Sequence, residues 1–180
     1  MSDDVYFTSD THFGHGRLLE LGRGRPFDTV EEMDEGLIEN WNSVVTKGDR
    51  VYFLGDFSFH NEEKTREIFG RLKGRIHFVR GNHDRRLHDP LPHNIDTFSD
   101  YKEITVKGKK LVLFHYPIFS WNGSYRGSWH LHGHEHGNGT PHNLPRMDIG
   151  VDCFNYTPVS FDEVSEIMST RSWEAEGHHG

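Results

Sequence analysis

The sequence predicts an α/β fold built on an at least partly parallel sheet, and three observations support this. Short apolar runs at 5–8, 50–54 and 76–79 have the length and composition of strands. Segments with helical spacing separate these runs, as crossovers between parallel strands require. Each run ends in a polar cluster, and α/β folds gather ligands at the C-terminal ends of their strands.

The first run leads into Ser9-Asp10-Thr11-His12-Phe13-Gly14-His15. Asp10 and His12 are two apart, a spacing that puts both side chains on one side of an extended segment. Residues 17–25 read as a helical turn and a Gly/Arg-rich loop. A helix opens after Pro26-Phe27-Asp28, where Thr29 and Glu32 fit a capping box. Met33, Leu37, Ile38 and Trp41 form its apolar stripe. The acidic residues at 31, 32, 34 and 35 sit near its positive end and read as a solvated face. The helix is expected to stop between 42 and 45, before a turn at 47–49. The second run delivers Gly55-Asp56-Phe57-Ser58-Phe59-His60. Asn61 caps a helix over 62–72, with Ile68, Phe69 and Leu72 inward and Gly74 closing it. The third run delivers Gly81-Asn82-His83-Asp84, an amide, an imidazole and a carboxylate in succession. Gly81 allows a sharp turn or a close approach there.

Beyond residue 84, Pro90 and Pro92 break a short polar segment. Residues 97–106 and 110–114 read as two strands joined by a hairpin at 107–109. The second delivers His115-Tyr116-Pro117. The loop from Trp121 to Trp129, with Asn122, Tyr125 and Arg126, reads either as a substrate rim or as an ordinary surface loop with packed aromatics. A run at 129–131 then delivers His132-Gly133-His134-Glu135-His136-Gly137. A loop with Pro141 and Pro145, a strand at 147–151, and an extended-then-helical segment at 159–168 follow. Residues 1–170 are expected to form one domain. Residues 171–180, with His178 and His179, are expected to form a flexible tail with little to bury.

Composition narrows the function. Apolar residues make up 33% and aromatics 13%, enough to build a core and exclude wholesale disorder. A formal net charge of -8 argues against stable duplex binding, which rests on basic surface. It does not exclude phosphate chemistry, because bound cations invert a local field. Cys153 is the only cysteine, so no internal disulfide forms, which fits a reducing, cytoplasmic setting. No signal-peptide pattern opens the chain, and no apolar run approaches the ~18 residues of a membrane span.

Asp10, His12, Asp56, Asn82, His115, His134 and His136 share one placement: each lies just past an apolar run. Taken singly, each has a structural alternative. Asp10 and Asp56 could cap turns, His115 could face the core, and Asn82 could form a turn. Taken together, these donors exceed one tetrahedral site. Two higher-coordinate ions sharing a bridging carboxylate use them naturally, since a carboxylate has two oxygens. The mixture of imidazole and carboxylate suits manganese, iron, zinc, nickel or cobalt rather than a thiolate site.

The blocks Asp10-x-His12, Gly55-Asp56, Gly81-Asn82-His83-Asp84, His115 and Gly133-His134-Glu135-His136 occur in an order that resembles the calcineurin-like metallophosphoesterases. The resemblance is to the small single-domain group of bacteria and bacteriophages, and it spans most of 5–152. It implies a four-layer α/β fold: two mixed β-sheets packed face to face and flanked by helices. It implies two divalent transition-metal ions, manganese first. Asp10, His12 and His136 would hold one, Asn82, His115 and His134 the other, with Asp56 as the bridge. A hydroxide shared by the ions would attack phosphorus. His83 would protonate the leaving oxygen, and Asp84 would orient His83.

The expected substrate is a small or nucleotide-type phosphate ester, with diesters preferred over monoesters. Alternatives are a phosphomonoesterase acting on nucleotides or phosphoprotein, a nuclease acting on nucleic-acid ends, and a noncatalytic metal-stabilised adaptor. His15, Arg17, Tyr116, Trp121, Arg126 and Trp129 are the expected substrate rim.

Overall fold

Alternating burial along the first strands builds two cores at once. In β1 (Val5–Thr8), Val5 and Phe7 face one core. In β2 (Arg50–Phe53), Val51 and Phe53 face a second core, while Tyr52 and then Leu54 face the first. The computed structural model describes residues 3–20, 24–84, 91–139 and 143–171. Pro90, Pro141 and residues 172–180 of the tail expected at 171–180, including His178 and His179, lie outside the described residues.

The first sheet has the order β4-β3-β2-β1-β9. Its members β3 (Arg75–Val79) and β4 (Ile95–Ser99) continue the parallel arrangement of β1 and β2, and β9 (Val159–Ser160) is antiparallel to β1. The second sheet, β5-β6-β7-β8, comprises Lys102–Val106, Lys109–Leu113, Trp129–His132 and Arg146–Asp148. Here β5 and β6 form an antiparallel hairpin, and β6, β7 and β8 run parallel. Both sheets are mixed. They pack face to face over Phe7, Tyr52, Leu54, Leu111, Leu113, Leu131 and Ile149, closed at one edge by Val164 and Met168.

Helix α1 is a single turn, Arg17–Glu20. Helices α2 (Val30–Val44) and α3 (Glu62–Arg71) cover the outer face of the first sheet, burying Met33, Leu37, Ile38, Trp41, Ile68 and Phe69. Helix α4 (Phe161–Ser169) starts from a full capping box between Ser160 and Glu163. The box expected on α2 is only half formed. Thr29 accepts from the Glu32 N–H, but the Glu32 carboxylate accepts from Asp28 rather than Thr29. On the outer face of the second sheet, the Trp121 ring from the 115–128 segment packs 5.2 Å from His130.

Three local expectations are corrected. Residues 97–106 are not one strand. The chain breaks at Asp100 and Tyr101, so β4 completes the first sheet beside β3 and β5 begins the second. One straight strand could not serve two sheets stacked face to face. The strand expected at 147–151 ends at Asp148, and Val151–Cys153 forms a 3-10 turn. Asp34 does not belong to a solvated acidic face. It is buried, accepts from the Gly14 N–H at 2.9 Å and meets His60 Nε2 at 2.6 Å.

Candidate dinuclear metal site

The parallel strands of both sheets end at one place. There the ligand atoms of Asp10, His12 and His136 converge within 4.8 Å of one another, and so do those of Asp56, His115 and His134.

In the first cluster, Asp10 Oδ2 accepts from Ser9 Oγ at 2.5 Å and from the His134 N–H at 3.0 Å. Its Oδ1 is buried without a hydrogen-bond partner, and so is His12 Nε2, 3.7 Å away. His12 Nδ1 is unpartnered too, and buried polar atoms left without partners around one point are costly, a cost that a cation bound between them would relieve. His136 Nε2 lies 3.9 Å from the same Oδ1, while its Nδ1 is fixed at 2.7 Å by Asp152. This partnership assigns the Nδ1 proton and leaves Nε2 for a ligand. Burial pushes the His12 imidazole down, towards the neutral form that binds metals. Burial also pulls His136 down, but Asp152 and Asp10 outweigh it and raise its proton affinity. Carboxylates that attract a proton there would equally attract a divalent ion.

In the second cluster, His115 Nδ1 donates to the Leu54 carbonyl at 2.7 Å. Its Nε2 then faces Asn82 Oδ1 at 3.0 Å and Asp56 Oδ2 at 3.5 Å. Burial pulls the His115 imidazole down, but Asp56 and Asp10 outweigh it and raise its proton affinity, and the carboxylates that attract a proton there would equally attract a divalent ion. Asp56 Oδ1 accepts from the His83 N–H at 2.8 Å. Its Oδ2 stands 3.7 Å from His12 Nε2, so this one oxygen faces both clusters. Oδ1 holds the His83 N–H, so Oδ2 is the Asp56 oxygen that stands between the two clusters. The donor set of both clusters fits a pair of divalent cations.

The backbone is bent to achieve this. Asp10, His12, Asp56, His134 and His136 have φ of 57°, 49°, 60°, 72° and 50°. They are five of the eight described non-glycine residues in the left-handed region, which costs about 1 kcal/mol or more each. Strain concentrated on the ligands marks a site that the surrounding fold holds in place. Close approach adds to it: a Cβ on Gly81 would collide with Asp56 Oδ1, and one on Gly133 with Asp10 Oδ2.

The Asp84 carboxylate is turned to the backbone rather than to the His83 ring. Its Oδ2 accepts from the N–H groups of Asp56 and Gly81, both at 2.7 Å, and its Oδ1 from Phe57 at 2.9 Å. It staples the loop after β2 to the loop after β3. His83 is exposed, with Nε2 4.0 Å from Asp56 Oδ2.

The expected rim divides. His15 stacks on Phe59 at 4.0 Å beside His12, its imidazole held down at about 4 by burial and by the charges of His12, His83, Arg25 and Arg17. Tyr116 is 37% exposed, and its ring meets His115 and His134 at 4.9 and 4.8 Å. Arg17 is exposed at the start of α1. Trp121, Arg126 and Trp129 do not line the site. They precede or open β7, so they lie at the end of the parallel strands opposite His115 and His134. Trp121 is buried and donates to Ser128 Oγ, Trp129 belongs to the intersheet core, and Arg126 lies over Tyr125 beside a groove lined by Gly108 and Lys109.

Sequence reasoning also missed residues. Arg25 is buried and grips both oxygens of Asp152 at 2.9 and 3.0 Å. It donates as well to the carbonyls of Thr11 and Asp10 at 2.5 and 2.6 Å. Burial pushes the Asp152 carboxyl up, but bonds from His136 and Arg25 outweigh it and hold it down at about 2. Phe59, exposed beside His12 and His83, was missed too.

Comparison with known proteins agrees with this geometry. The Calcineurin-like phosphoesterase superfamily domain matches residues 4–141. An uncharacterized protein of Methanocaldococcus jannaschii is 38% identical over 173 residues, covering 91% of this chain and 90% of that protein. The Gene 66 protein of Mycobacterium phage L5 is 28% identical over 215 residues, covering 98% of this chain and 99% of its own length. The crystal structure of a protein of unknown function from Aquifex aeolicus superposes with a TM-score of 0.75 at 28% identity, covering 91% and 98% of the two chains. With ligand clusters at the strand ends and the family domain matched over most of its length, the chain belongs to the calcineurin-like phosphoesterase superfamily.

Proposed function

We propose that this protein hydrolyses phosphodiesters of small or nucleotide type at a dinuclear centre. The observation that carries the reading is the position of Asp56 Oδ2, 3.7 Å from His12 Nε2 on one side and 3.5 Å from His115 Nε2 on the other. Asp10, His12 and His136 would hold one divalent ion, and Asn82, His115 and His134 the second, with Asp56 shared. Manganese is the first candidate. When bound, such a pair lowers the pKa of water and neutralises phosphate charge.

The chain's own residues do the rest. Asp152 fixes the His136 ring and the Leu54 carbonyl fixes the His115 ring, so each presents Nε2. The His83 N–H is anchored on Asp56 Oδ1, which sets its exposed ring at the mouth of the site. From there the imidazole can give a proton to a leaving oxygen. No serine or cysteine nucleophile is needed.

The test is a screen of metal-reconstituted protein with manganese, zinc, nickel, cobalt and iron(II). Substrates are matched chromogenic mono- and diesters, cyclic nucleotides, nucleotides and short oligonucleotides. The expected result is divalent-ion-dependent cleavage, faster on diesters. Faster monoester turnover would make the protein a phosphomonoesterase. Release of nucleotides from single-strand ends would make it a nuclease, and two bound ions with no hydrolysis a noncatalytic adaptor.

A further inference from the structure

Among the described residues, Arg17, Arg25 and Arg66 are the arginines nearest the two clusters, and only Arg17 has its charge free of a carboxylate partner among them. Arg25 is committed to Asp152 and two carbonyls, and Arg66, near His83, pairs with Glu62 at 2.8 Å. The chain carries a formal net charge of -8. Charge acts on the phosphate, whereas an uncharged base or ring needs a surface to stack on.

Phe59 is placed to supply it. It is 37% exposed, yet its ring stands 5.3 Å from His12 and 4.8 Å from His83, between a metal-ligand candidate and the candidate proton donor. One side is backed by His15, stacked at 4.0 Å and 20°. The His12 and His15 rings are 5.5 Å apart, too close to lie on opposite faces of Phe59. Both therefore share one side, and the exposed 37% of Phe59 belongs to the rest of the ring, which His83 approaches at 4.8 Å. The backbone is rigid, because the Phe59 N–H donates to the Phe13 carbonyl at 2.8 Å, next to a bridge between Phe13 and Ser58. An apolar ring held half in water at the mouth of a polar site is a stacking platform without its partner.

The geometry points to Phe59 as a specificity residue that stacks the base of a nucleoside phosphate on the His83 side of the centre. This rests on the phosphoesterase reading above and narrows its substrate to a nucleotidyl ester. Stacking suits any base, since each has a π-face.

The test compares AMP with ribose 5-phosphate, the same sugar phosphate without the base. Binding to manganese-loaded protein is measured by calorimetry, with bound manganese quantified in every variant. AMP is expected to bind about 10-fold tighter than ribose 5-phosphate. Phe59→Leu should bring that ratio close to one, and Phe59→Trp should preserve or increase it. Equal affinity in the wild type, an unchanged ratio in Phe59→Leu, or equal weakening of both ligands would overturn the proposal. If Phe59→Leu does not fold, weaker AMP discrimination by Phe59→Trp overturns it alone. The two readings fail separately. A base preference that depends on Phe59 without hydrolysis of any ester removes the catalytic reading and keeps the platform. Hydrolysis without base preference does the reverse.

Discussion

His83 and Asp84 are neighbours in sequence with opposite environments, and this separates their expected effects. His83 is exposed and meets the candidate ligands through its backbone N–H on Asp56 Oδ1, its Nε2 near Asp56 Oδ2 and its ring edge near His12. His83→Ala should keep both ions and lose about 100-fold in turnover, the scale for a positioned proton donor. Metal analysis beside steady-state kinetics checks this, and loss of both ions would remove the assignment. Asp84 is buried, and three backbone N–H groups depend on it. Asp84→Ala strands those donors, each worth about 1–3 kcal/mol when buried and unsatisfied. A loss of about 3 kcal/mol or more in denaturant unfolding is expected, with weaker binding at the Asp56 cluster. A stable variant with full metal content but low turnover would restore the role of orienting His83.

At the scale of elements, the rule that read the site was placement after a strand. Asp10, Asp56, Asn82, His115 and His134 come to one end of the fold because β1, β2 and β3 run parallel to one another, as do β6 and β7. The loop from Trp121 to Trp129 was read from composition instead, as a rim or as a surface loop with packed aromatics, and the packed aromatics are what the fold shows, because a residue before a parallel strand lies at the opposite end. The strand direction needed to see this comes from pairing, not from local pattern. The break at Asp100 was hidden because both halves of 97–106 look extended. The Arg25–Asp152 pair was illegible for another reason: its members are 127 residues apart, and each alone reads as a loop charge. That pair ties the loop before α2 to the 3-10 turn after β8, and it carries a pH signature. The folded Asp152 carboxyl sits at about 2, below its ordinary 3.8. A depressed carboxyl adds stability above its unfolded pKa and loses it as pH falls through the folded one. Metal-free protein should therefore lose roughly 2 kcal/mol from this group between about pH 4 and 2. Asp152→Asn should flatten that part of the acid-unfolding curve. An unchanged curve would mean that the pair does not hold the loop.

At the scale of the molecule, neither cluster belongs to one sheet. Asp10, His12, Asp56 and Asn82 follow strands of the first sheet, whereas His115, His134 and His136 follow strands of the second. Each cluster takes members from both, so any cation held there pins the sheets together at one end of their shared core. Binding to the folded state alone stabilises it by about 2.7 kcal/mol per site at 100 times Kd. For a chain of this size, about 1 kcal/mol moves Tm by roughly 2–4 °C. Adding manganese to chelator-treated protein should therefore raise Tm by roughly 10–20 °C when both sites fill. Asp56 decides whether the two sites are coupled. If its Oδ2 serves both, Asp56→Asn should remove most of the cation-dependent rise in Tm and lower both stoichiometries. If each cluster binds on its own, the variant should keep about half the rise and one ion, and the shared oxygen would then be a coincidence of packing. A thermal melt and a metal count on the same sample separate the two outcomes.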